Sequence, residues 1–390
     1  MDNLHFPITM NKGLKTDLSD VPSPCFVLDE KRLISNLEVL NGIQQKADIK
    51  ILCAFKGFAM WSSFTLLRKY LAGATASSLH EAKLCFEKFG QKAHVCAPVY
   101  PPDEIDEIID ISSHITFNSI EQFNRFGQKA VDRGLSIGLR INPEYSEIDT
   151  NIYNPCIPGS RLGVAIDQMP EELPEVIDGL HFHSMCEQNA DVLERTLSQV
   201  EMKFGKYLRQ VKWLNIGGGH HFTRVDYNQK TFIKAVTALK SAYDLQVIAE
   251  PGEAIGWETG YLVATVHDIV EANGFKTAML NTSFAAHMPD CLEMPYTPSV
   301  QNTCAKEDSP FHYRLGGNTC LAGDFVGDYA FLNPLQVGDR IVFEDMMHYT
   351  MVKTNTFNGV KLPSIGIITS DGTFQLIREF GYDHYKYRLS

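Results

Sequence analysis

The run Ile51-Leu52-Cys53-Ala54-Phe55-Lys56 ends an apolar stretch on a single lysine, with Gly57 directly after it. A short apolar run bounded by a polar residue and a glycine fits a buried strand. A lysine at its tip stands at the rim of a core, its amine facing whatever lies above. Taken alone, Lys56 reads equally well as a solvated residue that merely ends a strand. Residues far downstream decide between the two.

The chain has 390 residues, of which 44% are hydrophobic, so it can bury a large interior and is long enough for two domains. Its formal net charge of -12 argues against nucleic acid or an anionic membrane as partner, because both need basic surface. Met1 to Gly13 lacks a basic region followed by an apolar stretch, so no signal peptide is expected. No run approaches the length of a membrane span. The nine cysteines show no metal-type spacing, so no metal is expected. They read as reduced thiols of a cytoplasmic protein.

Working outward from Lys56, Pro24 to Asp29 reads as a strand and Lys31 to Lys46 as a helix. Strand-like runs then recur at Ile51–Phe55, Gly73–Ala76, His94–Ala97, His114–Phe117, Ile137–Ile141, Gly179–Phe182, Trp213–Ile216 and Gln246–Ala249. Most intervals leave room for one helix. Alternation of this kind implies a parallel sheet, and eight repeats close a barrel. The long interval between Ile141 and Gly179 holds Pro143, Pro155, Pro158 and Gly159, and is expected to carry an extended loop over the barrel mouth.

After Tyr261 the texture changes. Val263–Val270, Ala278–Asn281, Arg340–Phe343, Met351–Lys353 and Ile365–Ile368 read as strands, separated by turns such as Ala272-Asn273-Gly274 and Asp371-Gly372. The expected architecture is α/β: a TIM-like (β/α)8 barrel over residues 28–260, with a mainly antiparallel β-domain formed by 261–390 and the leader 1–27.

The residues just past the barrel strands surround the face where such barrels do chemistry. Gly217-Gly218-Gly219 follows the seventh strand. Consecutive glycines let backbone N–H groups converge on an anion, although an ordinary turn uses them too. Glu250-Pro251-Gly252 ends the eighth strand. A carboxylate there can hold a pyridine nitrogen in its protonated form, turning the ring into an electron sink; a capping glutamate is the plainer reading. His183 sits at the tip of the sixth strand, either as a core histidine or against a cofactor ring. His181 is expected on the opposite side, toward the helices.

These motifs in this order resemble the fold-type III pyridoxal phosphate decarboxylases, the alanine racemase-like group that includes the ornithine, arginine and diaminopimelate enzymes. Phe182-His183-Ser184-Met185-Cys186-Glu187, Glu250-Pro251-Gly252-Glu253-Ala254-Ile255, Cys320-Leu321-Ala322-Gly323-Asp324 and Tyr349-Thr350-Met351-Val352-Lys353 are similar to the carboxynorspermidine and carboxyspermidine decarboxylases among them. The resemblance implies pyridoxal 5'-phosphate bound covalently by Lys56, with His183 against its ring. Gly217, Gly218, Gly219 and Gly252 would lie by the phosphate, Glu250 at the pyridine nitrogen, and Tyr349 would reach in from the β-domain. Cys320 matches the residue that in relatives crosses from a partner subunit to protonate the product carbanion, which implies a homodimer with shared sites. Relatives often carry an acid directly after that cysteine; here Leu321 follows and Asp324 comes later.

Many relatives also place arginine after Glu-Pro-Gly. Glu253 stands there instead, and a carboxylate repels a phosphate but pairs with an ammonium. Asp290 is a second acid of this kind. Both suit a small carboxylated polyamine, unless they are simply surface acids. The expected reaction is decarboxylation of carboxynorspermidine or carboxyspermidine in polyamine biosynthesis. A diaminopimelate or basic amino-acid decarboxylase and a non-catalytic homologue are the alternatives.

Overall fold

The computed structural model describes residues 18–390. The leader before residue 18, including the stretch Met1 to Gly13 read for a secretion signal, lies outside the described residues. Strand β1 (Cys25–Asp29) comes first, and Asp29 caps the helix Glu30–Ala47 by accepting from Arg32 N–H at 3.2 Å. That helix buries Leu33, Leu37, Leu40 and Ile43, a stripe at helical spacing. Each such side chain contributes about 1.5–3 kcal/mol on leaving water.

Strands β2 (Lys50–Ala54), β3 (Gly73–Ala76), β4 (Ala93–Cys96), β5 (Ser112–Phe117), β6 (Ser136–Arg140), β7 (Ile177–His181), β8 (Trp213–Asn215) and β9 (Gln246–Ala249) form one closed barrel. All neighbouring pairs are parallel, and β2 closes on β9 through Lys50↔Ile248 and Ile51↔Ala249. These are the eight runs expected from the sequence. The lower lumen is filled by Trp213 with Leu52 and Ile248, and by the stacked rings of His94 and His114, 3.6 Å apart. Trp213 fits because Gly138 and Gly179 carry no side chain; a Cβ on Gly179 would lie 2.0 Å from its ring. Side chains alternate along a strand. With Trp213 pointing inward, Asn215 points inward too, toward the upper mouth.

The remaining strands build a nine-stranded sheet, ordered β12-β14-β13-β11-β10-β1-β16-β17, with β15 also on β10. Here β10 is Gly260–Ala272, β11 Phe275–Leu280, β12 Thr303–Cys304, β13 His312–Gly316, β14 Phe325–Phe331, β15 Arg340–Glu344, β16 Ser364–Ile368 and β17 Phe374–Arg378. Most pairings are antiparallel; β1 with β16 and β11 with β13 are parallel. Strand β1 is paired on both sides within this sheet, so a division between residues 27 and 28 cuts through it.

One expected strand is absent. Met351–Lys353 belongs to a short helix, Tyr349–Lys353, closed by Met351 N–H on His348 O at 3.0 Å. A run of three apolar or long side chains does not distinguish strand from helix. Between β6 and β7 the chain makes only two 3-10 turns, Asn151–Tyr153 and Ile166–Gln168. Ser146 Oγ donates to Ser184 O at 2.7 Å, which ties this long loop to the chain just beyond β7. Among the described residues no helix is long and apolar enough to cross a membrane.

Candidate active site

Lys56 leaves β2 in a tight turn, closed by Gly57 N–H donating to Ala54 O at 3.0 Å. Its Nζ lies 3.2 Å from His183 Nε2, and His183 Nδ1 accepts from Gly218 N–H at 3.1 Å. With Nδ1 an acceptor, a neutral ring carries its proton on Nε2 and donates it to the lysine nitrogen. That bond requires a free lone pair on Nζ. The electrostatics agree: enclosure by the barrel wall and then the Arg140 guanidinium lower the Lys56 pKa, against the opposing pull of Glu250. Burial, followed by Lys56, pushes His183 well below the usual imidazole range. A neutral amine is the nucleophilic form.

Gly217 and Gly219 adopt left-handed backbone, with φ of +69° and +85°. The loop is pressed between the ends of the neighbouring strands. A Cβ would lie 2.5 Å from Phe182 O at Gly217, 2.5 Å from Glu250 O at Gly218 and 2.0 Å from Met185 O at Gly219. Only glycine fits this cradle, and its turned amides are the kind that gather an anion. Gly252 contacts the Lys56 turn directly, since a Cβ on Gly57 would lie 2.8 Å from Gly252 Cα. Ala54 N–H donates to Pro251 O at 3.0 Å and locks the same junction. The cradle, a lysine of lowered pKa and a buried carboxylate in one barrel end fit pyridoxal phosphate.

That carboxylate is Glu250. Asn215 Nδ2 donates to its Oε1 at 2.6 Å, and His181 Nε2 stands 3.6 Å from its Oε2. Burial alone would raise the Glu250 pKa; His181 and Asn215 outweigh it and bring it down to about 2. His181 therefore faces the lumen, not the helices. Gly179, His181 and His183 are spaced by two and share a face of the strand and its extension. Behind His181 lies Cys96, its Sγ 3.7 Å from Nδ1. Burial would lower the His181 pKa, but Cys96 and Glu250 hold it up at about 9.

The sheet side contributes unevenly. Tyr349 begins the short helix after β15; burial and then Glu253 push its hydroxyl pKa up. Glu253 opens the helix Glu253–Gly256, half-buried; burial and then Glu187 raise its pKa to about 8. Asp290 differs from expectation. Lys353 Nζ lies 2.6 Å from its Oδ1 and Tyr153 Oη donates to it at 3.4 Å, so its charge is answered within the chain. Asp324, which the resemblance sets beside the substrate, spends its carboxylate within the chain. It is buried, and its carboxylate accepts from Phe284 N, Ala285 N, Thr319 N and Thr319 Oγ1. It shapes the loop that carries Cys320, which is exposed and donates its N–H to Asn358 Oδ1 at 2.7 Å.

Sequence reasoning passed over Arg140, Asn215, Cys96 and Glu187. The first three are polar residues at the ends of short barrel strands, and the parity of each strand was the available signal. Glu187 lies inside the Phe182–Glu187 motif, and nothing in its sequence neighbourhood signals a role.

The comparisons with known proteins agree with this geometry. A family profile described as "Pyridoxal-dependent decarboxylase, C-terminal sheet domain" matches residues 25–347. The chain is 52% identical over 373 residues to a carboxyaminopropylagmatine decarboxylase of Synechocystis sp., covering 95% of this chain and 96% of that one. It is 43% identical over 379 residues to a carboxynorspermidine/carboxyspermidine decarboxylase of Campylobacter jejuni, covering 94% and 98%. The crystal structure of carboxynorspermidine decarboxylase with norspermidine, also from Campylobacter jejuni, superposes with a TM-score of 0.87 at 42% identity, over 94% of this chain and 100% of that one. The chain belongs to the pyridoxal-dependent decarboxylase family of barrel-and-sheet enzymes, and pyridoxal phosphate is its cofactor.

Proposed function

We propose that this enzyme decarboxylates a carboxylated polyamine, carboxynorspermidine or carboxyspermidine, with Lys56, His183, Glu250 and the Gly217–Gly219 cradle as its cofactor site. The observation that carries the reading is the convergence of Lys56, 3.2 Å from His183, with the glycine cradle and the anionic Glu250 at one barrel end. Bound pyridoxal phosphate supplies the electron sink for the pair left at Cα when carbon dioxide departs.

The chain's own residues do the rest. Lys56 would hold the cofactor through its amine. His183 keeps the lysine nitrogen in position. Glu250, held ionised, keeps a proton on the pyridine nitrogen. Gly217 to Gly219, Gly252 and Tyr349 would hold the phosphate. Glu253 pairs with a cationic group of the substrate, which fixes the scissile bond against rotation. Cys320 gives the proton that replaces carbon dioxide at Cα and comes from the second subunit of a homodimer. The barrel from Glu30 to Thr259 carries the cofactor, the sheet supplies Tyr349 and Cys320, and the enzyme works in the cytoplasm.

Carboxyaminopropylagmatine is the second reading, favoured by the 52% identity to the enzyme of that name. Agmatine ends in a guanidine, so the two readings differ in the distal cation and share the reacting end. Product formation from carboxynorspermidine, carboxyspermidine, carboxyaminopropylagmatine, diaminopimelate, ornithine and arginine, at equal concentrations, separates them. One of the first three should exceed the last three by orders of magnitude in kcat/KM. Comparable turnover of diaminopimelate would refute the reading.

A further inference from the structure

Just past β7 the chain runs beside the segment that follows the glycine cradle. Gln188 N–H donates to Gly219 O at 2.9 Å and His221 N–H donates to Gln188 O at 3.2 Å, so Glu187 and His221 stand side by side. Glu253 arrives from the end of β9. One oxygen of each glutamate and one ring nitrogen of His221 lie within 4.8 Å of one another.

Three features separate this cluster from a chance meeting of acids. His221 is only 2% exposed, yet neither ring nitrogen has a hydrogen-bond partner among the described residues. A buried imidazole without partners is costly unless something supplies them. Trp257 packs edge-on against its ring at 4.3 Å and fixes its direction. Glu187 holds a left-handed backbone, φ +52°, unusual for a residue with a side chain. Finally, neither Glu187 nor Glu253 forms an ion pair with any described residue, whereas Asp290 has Lys353 and Asp345 has His348.

We propose that Glu187, Glu253 and His221 form one subsite for the distal cationic group of the substrate, an ammonium or a guanidinium. The inference rests on the carboxy-polyamine reading above and assigns Glu187 and His221 a task in it. The two carboxylates accept from the cation, and the neutral imidazole accepts one further N–H. Burial holds the His221 pKa down at about 3, so it stays an acceptor at any working pH.

Cation binding here is coupled to a proton. Two carboxylates this close resist ionising together. Glu253, at about 8, keeps its proton near neutrality because burial and Glu187 oppose the charge. The other charged groups facing the pair are His348, Asp345, Asp290 and Arg224. His348 is itself held protonated, at about 9, by Asp345 and the two glutamates, and Lys353 answers Asp290. An incoming cation favours the doubly ionised pair, and the displaced proton leaves to solvent. Affinity therefore rises as pH approaches about 8.

The test uses holoenzyme with spermidine as probe, by calorimetry in buffers of different ionisation enthalpy, beside steady-state kinetics on the carboxy-polyamine. Glu187→Gln is isosteric and is expected to weaken spermidine binding and raise KM about 10- to 100-fold, the scale of a charge-assisted hydrogen bond. Its kcat should change little and its cofactor absorbance not at all. Proton release on binding should vanish, and Glu187→Asp should recover part of it. Unchanged KM and proton release in Glu187→Gln would overturn the inference. So would a stoichiometric divalent metal in the wild type that is lost in the variant. Spermidine binding with proton release but no turnover of any carboxy-polyamine would keep the subsite and refute the functional reading.

Discussion

His181 Nε2 lies 3.6 Å from Glu250 Oε2, both side chains buried in the barrel end, with Cys96 Sγ 3.7 Å behind the imidazole. A carboxylate in such a place keeps its charge only while a partner answers it. His181→Gln keeps the shape and removes the charge. We expect kcat/KM to fall about 10- to 100-fold, the worth of a hydrogen bond to a charged group, with the cofactor still bound. Cofactor absorbance and kinetics measured together check this.

The same pair sets a pH window. The His181 pKa is raised from 6.5 to about 9, so its contribution is complete below 6.5 and is lost as pH rises through 9. The Glu250 pKa is depressed from 4.5 to about 2, so its contribution is present above 4.5 and is lost as pH falls toward 2. Unfolding stability and cofactor retention should decline between pH 6.5 and about 9 in the wild type, and this decline should be missing in His181→Gln. Cys96→Ala removes the larger of the two influences that raise His181, so its decline should be smaller and complete at lower pH.

Gly218→Ala would put a Cβ 2.5 Å from Glu250 O, a backbone atom and not the end of a flexible side chain. We expect the variant to fold, lose most of its cofactor affinity and show a lower Tm only when the cofactor is present in the comparison. Equilibrium binding of pyridoxal phosphate to the stripped protein measures it. Wild-type affinity in this variant would mean that the loop does not hold the phosphate.

Gly42 lies in the helix Glu30–Ala47 with open space where a Cβ would be. Gly42→Ala should stabilise the protein by about 0.5–1 kcal/mol through helix propensity and a less flexible unfolded chain. Denaturant unfolding gives the value, and kinetics should be unchanged.

Mixing Lys56→Ala with Cys320→Ala subunits should restore part of the activity, because the two-fold symmetry of the proposed homodimer would rebuild one complete site in each mixed pair. Absence of rescue despite demonstrated subunit exchange would place Cys320 outside catalysis.

The barrel was legible because each strand ends in a short apolar run and a polar or glycine break, a pattern that survives without any knowledge of contacts. Lys56, Gly217 to Gly219 and Glu250 were visible for the same reason, since each sits one step beyond a strand. What failed was direction and pairing. His181 faces the lumen because strand parity puts it with Gly179 and His183. Asp290 reads in sequence as an acid for a substrate ammonium, but Lys353, 63 positions away, pairs with it. Asp324 spends its lone pairs on amides that only the folded loop brings near. Glu187 and His221 meet through a single backbone bridge between Gln188 and His220, which has no sequence signature.

The claim on which everything else rests is that Lys56 carries the cofactor. Borohydride reduction of the holoenzyme followed by peptide mapping tests it without reference to any substrate. The account predicts a pyridoxyl group on the peptide containing Lys56, at close to one per chain, and none in Lys56→Ala. A pyridoxyl group on a different lysine, with Lys56 unlabelled, would contradict it.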